Sequence, residues 1–143
     1  MIERTIVKIL SPNDVGETGG HQAGLLIPKK ESILSFFPPL ETSIQNPRVH
    51  LLFEDQSGYH WKFAFIYYNN KFFGGTRNEY RLTGMTRYIR EAGLVSGDEV
   101  LMHRHANGSF AISYRRAQEP ATIRNEAHET VLVLSSNWKV INI

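Results

Sequence analysis

The chain has 143 residues, 41% hydrophobic and 21% charged, which predicts one ordinary globular domain over residues 1–143 and excludes a disordered or fibrous chain. It has no cysteine, which excludes disulfides and thiolate metal sites, and no apolar run near the ~20 residues of a membrane-spanning helix. A net charge of only +2 excludes a histone-like polycation, and the mixed charges of "MIERTIVKIL" do not resemble a signal peptide, so we expect a cytoplasmic protein.

The first half of the chain reads as short strands around one short helix. β-branched, apolar or alternating segments predict strands at residues 5–10, 23–28, 48–54 and 59–68. The apolar spacing of residues 29–37 predicts a helix that Pro38 and Pro39 stop. Between the first two strands, "SPNDVGETGGH" holds a proline, three glycines and turn-forming side chains, which predicts an irregular loop.

The second half predicts a further helix and five strands. "MTRYIREAG" (85–93) has an apolar face and a charged face, and Gly93 suits its C-terminal cap. Strand patterns cover residues 80–84, 96–105, 110–116, 129–135 and 137–143. We therefore expect a mainly β protein, a seven- or eight-stranded, partly open barrel with two short helices.

An aromatic row lies in the fourth predicted strand. Tyr59, Trp61, Phe63, Phe65 and Tyr67 alternate and therefore share one strand face. We interpret this row as core rather than as a platform for stacking bases, because an exposed row would leave a large apolar patch in water.

Catalytic motifs are absent from the sequence. His103 and His105 lie on one face of a strand, but a metal site needs a third ligand and no nearby residue nominates one. The serines lack a nucleophile-elbow pattern, and "GETGGH" lacks the lysine and hydroxyl residue of a phosphate-binding loop. We expect a binding module rather than an enzyme.

Two long polar loops, "SPNDVGETGGHQ" and "NNKFFGGTRNEYR", are the candidate functional segments. Five basic residues and one acid, Glu79, lie between Lys71 and Arg90, and a local basic stripe is typical of nucleic-acid surfaces.

The side chains of these loops suit the edges of bases. Arg77 or Arg81 can donate two hydrogen bonds to guanine, Glu79 can accept one from cytosine, and Gln22 or Asn78 can pair with adenine. Phosphate repels a carboxylate, so Glu79 favours base reading over a purely electrostatic grip. The simpler alternative is that Glu79 only pairs with a neighbouring arginine at the surface.

"KILSPNDVGETGGHQAGLLIP" (8–28) and "IYYNNKFFGGTRNEYRLT" (66–83) resemble the two signature segments of the N-terminal effector-binding domain of EcoRII-type restriction endonucleases. That resemblance implies the DNA-binding pseudobarrel fold that these domains share with plant transcription factors of the auxin-response-factor kind. Such domains hold duplex DNA with two arms in the major groove, and in the EcoRII family the target is CC-(A/T)-GG. Gly75 and Tyr80 depart from the basic residues that the family pattern leads us to expect.

The resemblance also implies which residues contact DNA. The N-arm (14–22) would contribute Asp14, Thr18, Gly19, Gly20, His21 and Gln22, with His21 and Gln22 as the main contacts. The C-arm (71–81) would contribute Lys71, Arg77, Asn78, Glu79 and Arg81. Arg77 and Glu79 would read bases, and Arg81 or Lys71 would lie nearer phosphate, with Arg4, Arg115 or Arg116 as further phosphate contacts.

By the same resemblance, the chain is a non-catalytic recognition domain without a cofactor, covalently followed by a nuclease domain that would use Mg²⁺, in a bacterial or archaeal cytoplasm. We expect the isolated domain to be a monomer. Two alternatives remain: a general nucleic-acid or oligosaccharide binder, and a metal-dependent hydrolase that uses His103 and His105.

Overall fold

The computed structural model describes residues 3–16, 24–117, 130–134 and 138–142. Their regular elements, in chain order, are β1 (Arg4–Ile9), β2 (Leu25–Ile27), α1 (Glu31–Leu34), β3 (Arg48–Glu54), β4 (His60–Tyr68), a 3₁₀ helix (Asn70–Phe73), β5 (Glu79–Thr83), α2 (Thr86–Ala92), β6 (Glu99–Arg104), β7 (Phe110–Arg115), β8 (Thr130–Leu134) and β9 (Trp138–Asn142). None of the helices in the described residues is long and apolar enough to cross a membrane.

The strands form one curled sheet in the order β2-β5-β4-β3-β7-β6-β1-β9-β8. Neighbouring strands are antiparallel except β3 and β7, where Phe53 lies opposite Phe110 in a parallel pair. This parallel contact joins two antiparallel halves, one holding β2 to β5 and the other holding β1 and β6 to β9. The predicted mainly β pseudobarrel with two short helices is confirmed. The described residues hold nine strands, one at each of the nine predicted segments, rather than the expected total of seven or eight.

Aromatic side chains fill the core, as predicted from β4. Phe63, Phe65 and Tyr67 are buried, and the Phe65 ring stacks on Phe37 with 4.5 Å between ring centroids. The row ends at Tyr59, which precedes the strand and is exposed. Burial of these rings supplies much of the free energy that holds the sheet curled, at ~1.5–3 kcal/mol for each fully buried large side chain.

Helix α1 is shorter than the predicted span of residues 29–37. It has no side-chain hydrogen bond at its N-cap, Lys30, and it ends at Leu34. A residue before proline is disfavoured in the helical conformation, so Phe37 leaves the helix ahead of Pro38. Phe36 and Phe37 are nevertheless buried, because the turn after α1 carries both rings into the core.

Helix α2 ends as the sequence predicts. Gly93 caps it with a left-handed backbone (φ 67°), and its amide donates to the Arg90 carbonyl. Tyr88 and Ile89 are its buried residues. Burial raises the pKa of Tyr88 far above its ordinary value, with smaller contributions from Tyr114 and Asp55.

Candidate nucleic-acid interface

The C-arm begins as a closed loop between β4 and β5. The Lys71 amide donates to the Arg77 carbonyl at 2.8 Å, and the Arg77 amide donates to Oδ1 of Asn70 at 2.7 Å. The Gly75 amide also donates to the Asn70 carbonyl, at 2.6 Å. A Cβ atom on Gly75 would lie 2.8 Å from Cγ of Asn70, so a larger residue there would displace the Asn70 side chain. Asn70 therefore organises the loop from inside.

Arg77, Glu79 and Arg81 form one ion-pair cluster at the start of β5. Nη2 of Arg77 and Nε of Arg81 both donate to Oε2 of Glu79, at 2.7 and 2.6 Å. The exposed fractions of these side chains are 44% for Arg77, 30% for Glu79 and 10% for Arg81. Exposure therefore falls steadily from the loop into the sheet, and Arg77 presents the most surface to a ligand.

The pKa of Glu79 lies below its ordinary value. Burial alone would raise this pKa, but the hydrogen bonds and charges of Arg77 and Arg81 outweigh burial. The carboxylate therefore stays ionised at neutral pH, when it accepts hydrogen bonds and donates none.

Aromatic side chains contact Arg77, Asn78 and Lys71 of the C-arm. The Arg77 guanidinium lies 3.9 Å from the centre of the Tyr68 ring, within the range of a cation–π contact. The Tyr67 hydroxyl donates to Oδ1 of Asn78 at 2.5 Å, and the Tyr67 ring stacks on Tyr80 with 4.2 Å between centroids. Lys71 is exposed on the 3₁₀ helix, beside the exposed ring of Phe72. Arg77 and Asn78 are therefore held in place before any ligand arrives.

Asn69, which the sequence reasoning did not identify, fixes the root of the C-arm. Its buried side chain accepts from the Asn46 amide at 2.7 Å and donates to the carbonyls of Thr42 and Ile44 at 3.3 and 2.9 Å. Asn46 has a left-handed backbone (φ 52°), and its own side chain accepts from the Asn69 amide at 3.3 Å. The two asparagines thus attach the loop before β3 to the first residue after β4.

The structure describes the N-arm only at its root. The Ser11 amide donates to Oδ2 of Asp14 at 2.9 Å, and the Asp14 amide donates to Oγ of Ser11 at 3.1 Å. Oδ2 of Asp14 also lies 3.4 Å from Nζ of Lys8. The Asp14 side chain is only 9% exposed, so it supports the arm from within. Thr18, Gly19, Gly20, His21 and Gln22 lie outside the described residues.

The roots of the two arms touch each other. Strand β2, which follows the N-arm, pairs with β5, which ends the C-arm, and Nη1 of Arg81 reaches the Gly24 carbonyl at 3.4 Å. Gly24 has a left-handed backbone (φ 71°), and a Cβ atom there would lie 1.9 Å from the Leu82 carbonyl oxygen. Only glycine allows this close approach, so Arg81 and Gly24 join the arms at one point.

The amino-acid sequence that folds in this way matches a known family. Residues 3–135 match the family described as "Restriction endonuclease EcoRII, N-terminal". The chain belongs to this family.

Plant proteins are also similar to this member of the EcoRII N-terminal family. A B3 domain-containing protein of Arabidopsis thaliana is 36% identical over 119 residues, which cover 80% of this chain and 44% of that protein. Auxin response factor 2 of Oryza sativa subsp. japonica is 32% identical over 118 residues, covering 82% of this chain and 15% of that protein. The chain thus spans less than half the length of these relatives.

A solved structure shares the fold. The Arabidopsis FUS3–DNA complex superposes with a TM-score of 0.61 at 22% identity, over 78% of this chain and 96% of that one. Together with the family match, this confirms the predicted resemblance to the EcoRII N-terminal domain and the pseudobarrel.

The three arginines suggested as extra phosphate contacts already have partners within the chain. Arg4 donates to Ser35 Oγ and the Ser32 carbonyl, and Arg115 pairs with Glu99 at 2.9 Å. Arg116 donates to the carbonyls of Ala92 and Gly93 at the C-terminal end of α2. Their phosphate role stays a prediction.

His103 and His105 lie on β6 and just after it. The sequence nominated no third ligand near them, but the fold brings Glu3 beside both histidines. The sequence hid this neighbour, since Glu3 lies about a hundred residues away along the chain.

Proposed function

We propose that the chain recognises a specific double-stranded DNA sequence of the CC-(A/T)-GG type with its two arms. The observation that carries the proposal is the Arg77–Glu79–Arg81 cluster, in which one carboxylate lies between two guanidinium groups at the root of a closed loop. Phosphate repels a carboxylate, so a surface that only attracted phosphate would not be expected to place a partly exposed, ionised carboxylate at its centre.

The cluster has the donors and acceptors for one G·C pair. Arg77 can donate to guanine O6 and N7, and Glu79 can accept from the cytosine amino group. The lowered pKa of Glu79 keeps this acceptor ionised. The Tyr68 ring and Glu79 already hold the Arg77 guanidinium, so little side-chain entropy is lost when it meets a base.

Other C-arm residues take supporting roles. Lys71 is exposed and suits a phosphate oxygen, whereas Arg81 is nearly buried and holds Glu79 and Gly24 in place. Asn78 Oδ1 accepts from the Tyr67 hydroxyl and has a second lone pair, so Asn78 could still pair with adenine. His21 and Gln22 supply the N-arm contacts, and Asp14 anchors that arm.

In this proposal the chain is the non-catalytic effector or targeting domain of a type II restriction endonuclease. The nuclease domain, with its Mg²⁺, follows it in the parent protein, and this domain alone is a monomer without a cofactor. A bacterial or archaeal cytoplasm is part of the proposal, although the similar proteins named above are from plants.

Fluorescence anisotropy with a labelled CC-(A/T)-GG duplex and a scrambled duplex, at two salt concentrations, tests the proposal. We expect specific binding to exceed random binding by ~10³-fold or more. Equal, salt-sensitive binding to both duplexes would instead support a general nucleic-acid binder and reject the target. Absence of binding to either duplex would reject DNA recognition altogether.

A further inference from the structure

We propose that Glu3, His103 and His105 form a binding site for a divalent transition metal such as Zn²⁺. One ligand atom from each residue lies within 4.8 Å of the other two, and His103 Nε2 lies 3.5 Å from Glu3 Oε1. The two imidazole rings are 4.7 Å apart between centroids. These residues lie outside both arms, so the site is independent of the proposed DNA recognition.

The pairing of β1 with β6 creates this cluster. Thr5 lies opposite His103 in the antiparallel register, and one further step of the same register places Glu3 opposite His105. Alternate residues of a strand point to the same face, so Glu3, Thr5, His103 and His105 share one face.

The cations between them point to the other face. Arg4 donates to Ser35 Oγ at 2.7 Å, and Arg104 donates to the Ser35 and Phe36 carbonyls at 3.0 and 2.8 Å. Both guanidinium groups are thus directed to the turn after α1. Their positive charges therefore do not occupy the face where a metal would bind.

Thr5 orients His103 for ligation. Thr5 Oγ1 lies 2.6 Å from His103 Nδ1, a hydrogen bond that leaves Nε2 free to face Glu3. Metal-binding histidines usually use their second ring nitrogen in this way, which fixes the ring orientation and the tautomer. A solvated histidine on a strand needs no such partner.

The ligand set indicates the class of metal. Two imidazoles and one carboxylate suit Zn²⁺ and its first-row neighbours, whereas Mg²⁺ and Ca²⁺ prefer oxygen ligands. Ligands ~2.0–2.2 Å from a tetrahedral Zn²⁺ lie roughly 3.3–3.5 Å apart. The Glu3–His103 distance of 3.5 Å already meets this requirement, and the His105 ligand atom must approach the other two from within 4.8 Å. The fourth position is left for water.

Calorimetric titration of the purified, metal-free chain with Zn²⁺, and Co²⁺ titration followed by visible absorption, test the proposal. We expect one saturable site and the absorption bands of tetrahedral Co²⁺. His103→Ala should abolish both signals, and Glu3→Gln, at an exposed position where folding is not at risk, should weaken binding. Thr5→Val, which removes only the orienting bond, should weaken it ~10- to 100-fold.

His60→Ala is the matched control. His60 also pairs with a glutamate across two strands, Glu54 at 3.9 Å, and belongs to no three-ligand cluster in the described residues. This variant should bind Zn²⁺ like the wild type. The proposal is overturned if the wild type has no saturable site or if binding survives His103→Ala. It is also overturned if Glu3→Gln binds Zn²⁺ as tightly as the wild type, or if His60→Ala loses binding.

Discussion

Replacing Arg77 by alanine tests the base-reading role most directly. The substitution removes the exposed guanidinium but leaves Glu79 paired with the nearly buried Arg81 at 2.6 Å. The loop closure through Asn70 uses the Arg77 backbone amide, which alanine keeps. The variant should therefore fold like the wild type and lose only what the side chain contributes to binding.

The expected loss of affinity follows from the contacts that differ between the free protein and the complex. The Arg77–Glu79 pair is half exposed and worth under ~1 kcal/mol, and it is present in free protein, so it contributes little to the difference in affinity. The proposed two-pronged contact with guanine would exist only in the complex and would be worth ~1–3 kcal/mol. Arg77→Ala should thus weaken specific binding by roughly 5- to 150-fold, toward the upper end because Tyr68 holds the guanidinium in advance.

The assay is anisotropy with the CC-(A/T)-GG duplex, duplexes altered at each G·C pair, and a scrambled duplex. Arg87→Ala is the matched control, because Arg87 pairs with Glu91 at 2.6 Å and lies 5.3 Å from the Trp61 ring. Trp61 is seven residues from Tyr68 along β4, roughly 23 Å from the C-arm. The control should bind like the wild type. An equal loss of affinity for specific and scrambled DNA in Arg77→Ala would refute the base-reading role.

Three further predictions concern phosphate contact and the scaffold. Lys71→Ala should weaken all duplexes alike and lower the slope of log affinity against log salt by about one. Asn69→Ala should lower the free energy of unfolding in urea by ~1–3 kcal/mol, because it removes a buried side chain that makes three hydrogen bonds to the loop before β3. Asp55→Ala should cost ~1–2 kcal/mol at neutral pH, since Asp55 accepts from Trp61 Nε1 and from the β3–β4 turn.

The Asp55 effect also has a defined pH dependence. The Trp61 hydrogen bond, with those of Ser57 and Tyr59, lowers the pKa of Asp55 from 3.8 to about 2. A lowered pKa stabilises the folded state above pH 3.8, and this contribution is lost as the pH falls toward 2. The difference in unfolding free energy between wild type and Asp55→Ala should therefore shrink over that range. A stability difference that stays constant with pH would contradict the reasoning for Asp55. For Lys71→Ala, the contradicting result is a loss of affinity that depends on the DNA sequence. For Asn69→Ala, it is an unchanged urea midpoint.

Alternation of side chains was sufficient to predict most of the fold. Phe63 and Phe65 followed from period two in β4, and the cap at Gly93 followed from the need for a left-handed residue. The length of α1 did not follow, because the apolar spacing of Phe36 and Phe37 also fits a buried turn. Propensity does not separate these two outcomes, and Pro38 restricts only Phe37, whereas the helix already ends at Leu34.

The candidate site was predictable where its residues are neighbours in sequence. Arg77, Glu79 and Arg81 are two apart, so their proximity needed only the assignment of a strand at Glu79. Contacts that depend on how the strands pair could not be predicted from the sequence. Asn69 bonds a loop that lies over twenty residues earlier, and Glu3 meets His105 only because β1 pairs with β6.

Arg77 and Arg81 carry the same charged group and share one oxygen of Glu79, yet the fold gives them different roles. Arg81 lies within the sheet, and its guanidinium has Glu79 and the Gly24 carbonyl as partners, so moving it would disturb the roots of both arms. Arg77 lies on the loop, where the Tyr68 ring and the Glu79 carboxylate set the direction of its guanidinium, and 44% of its side chain stays exposed to water. A nearly buried guanidinium without its carboxylate would be costly, so Glu79 is needed for the fold as well as for the proposed base reading. Glu79 can therefore be both an ion-pair partner and a base reader, because its pairing with Arg81 fixes the carboxylate where a base could donate to it.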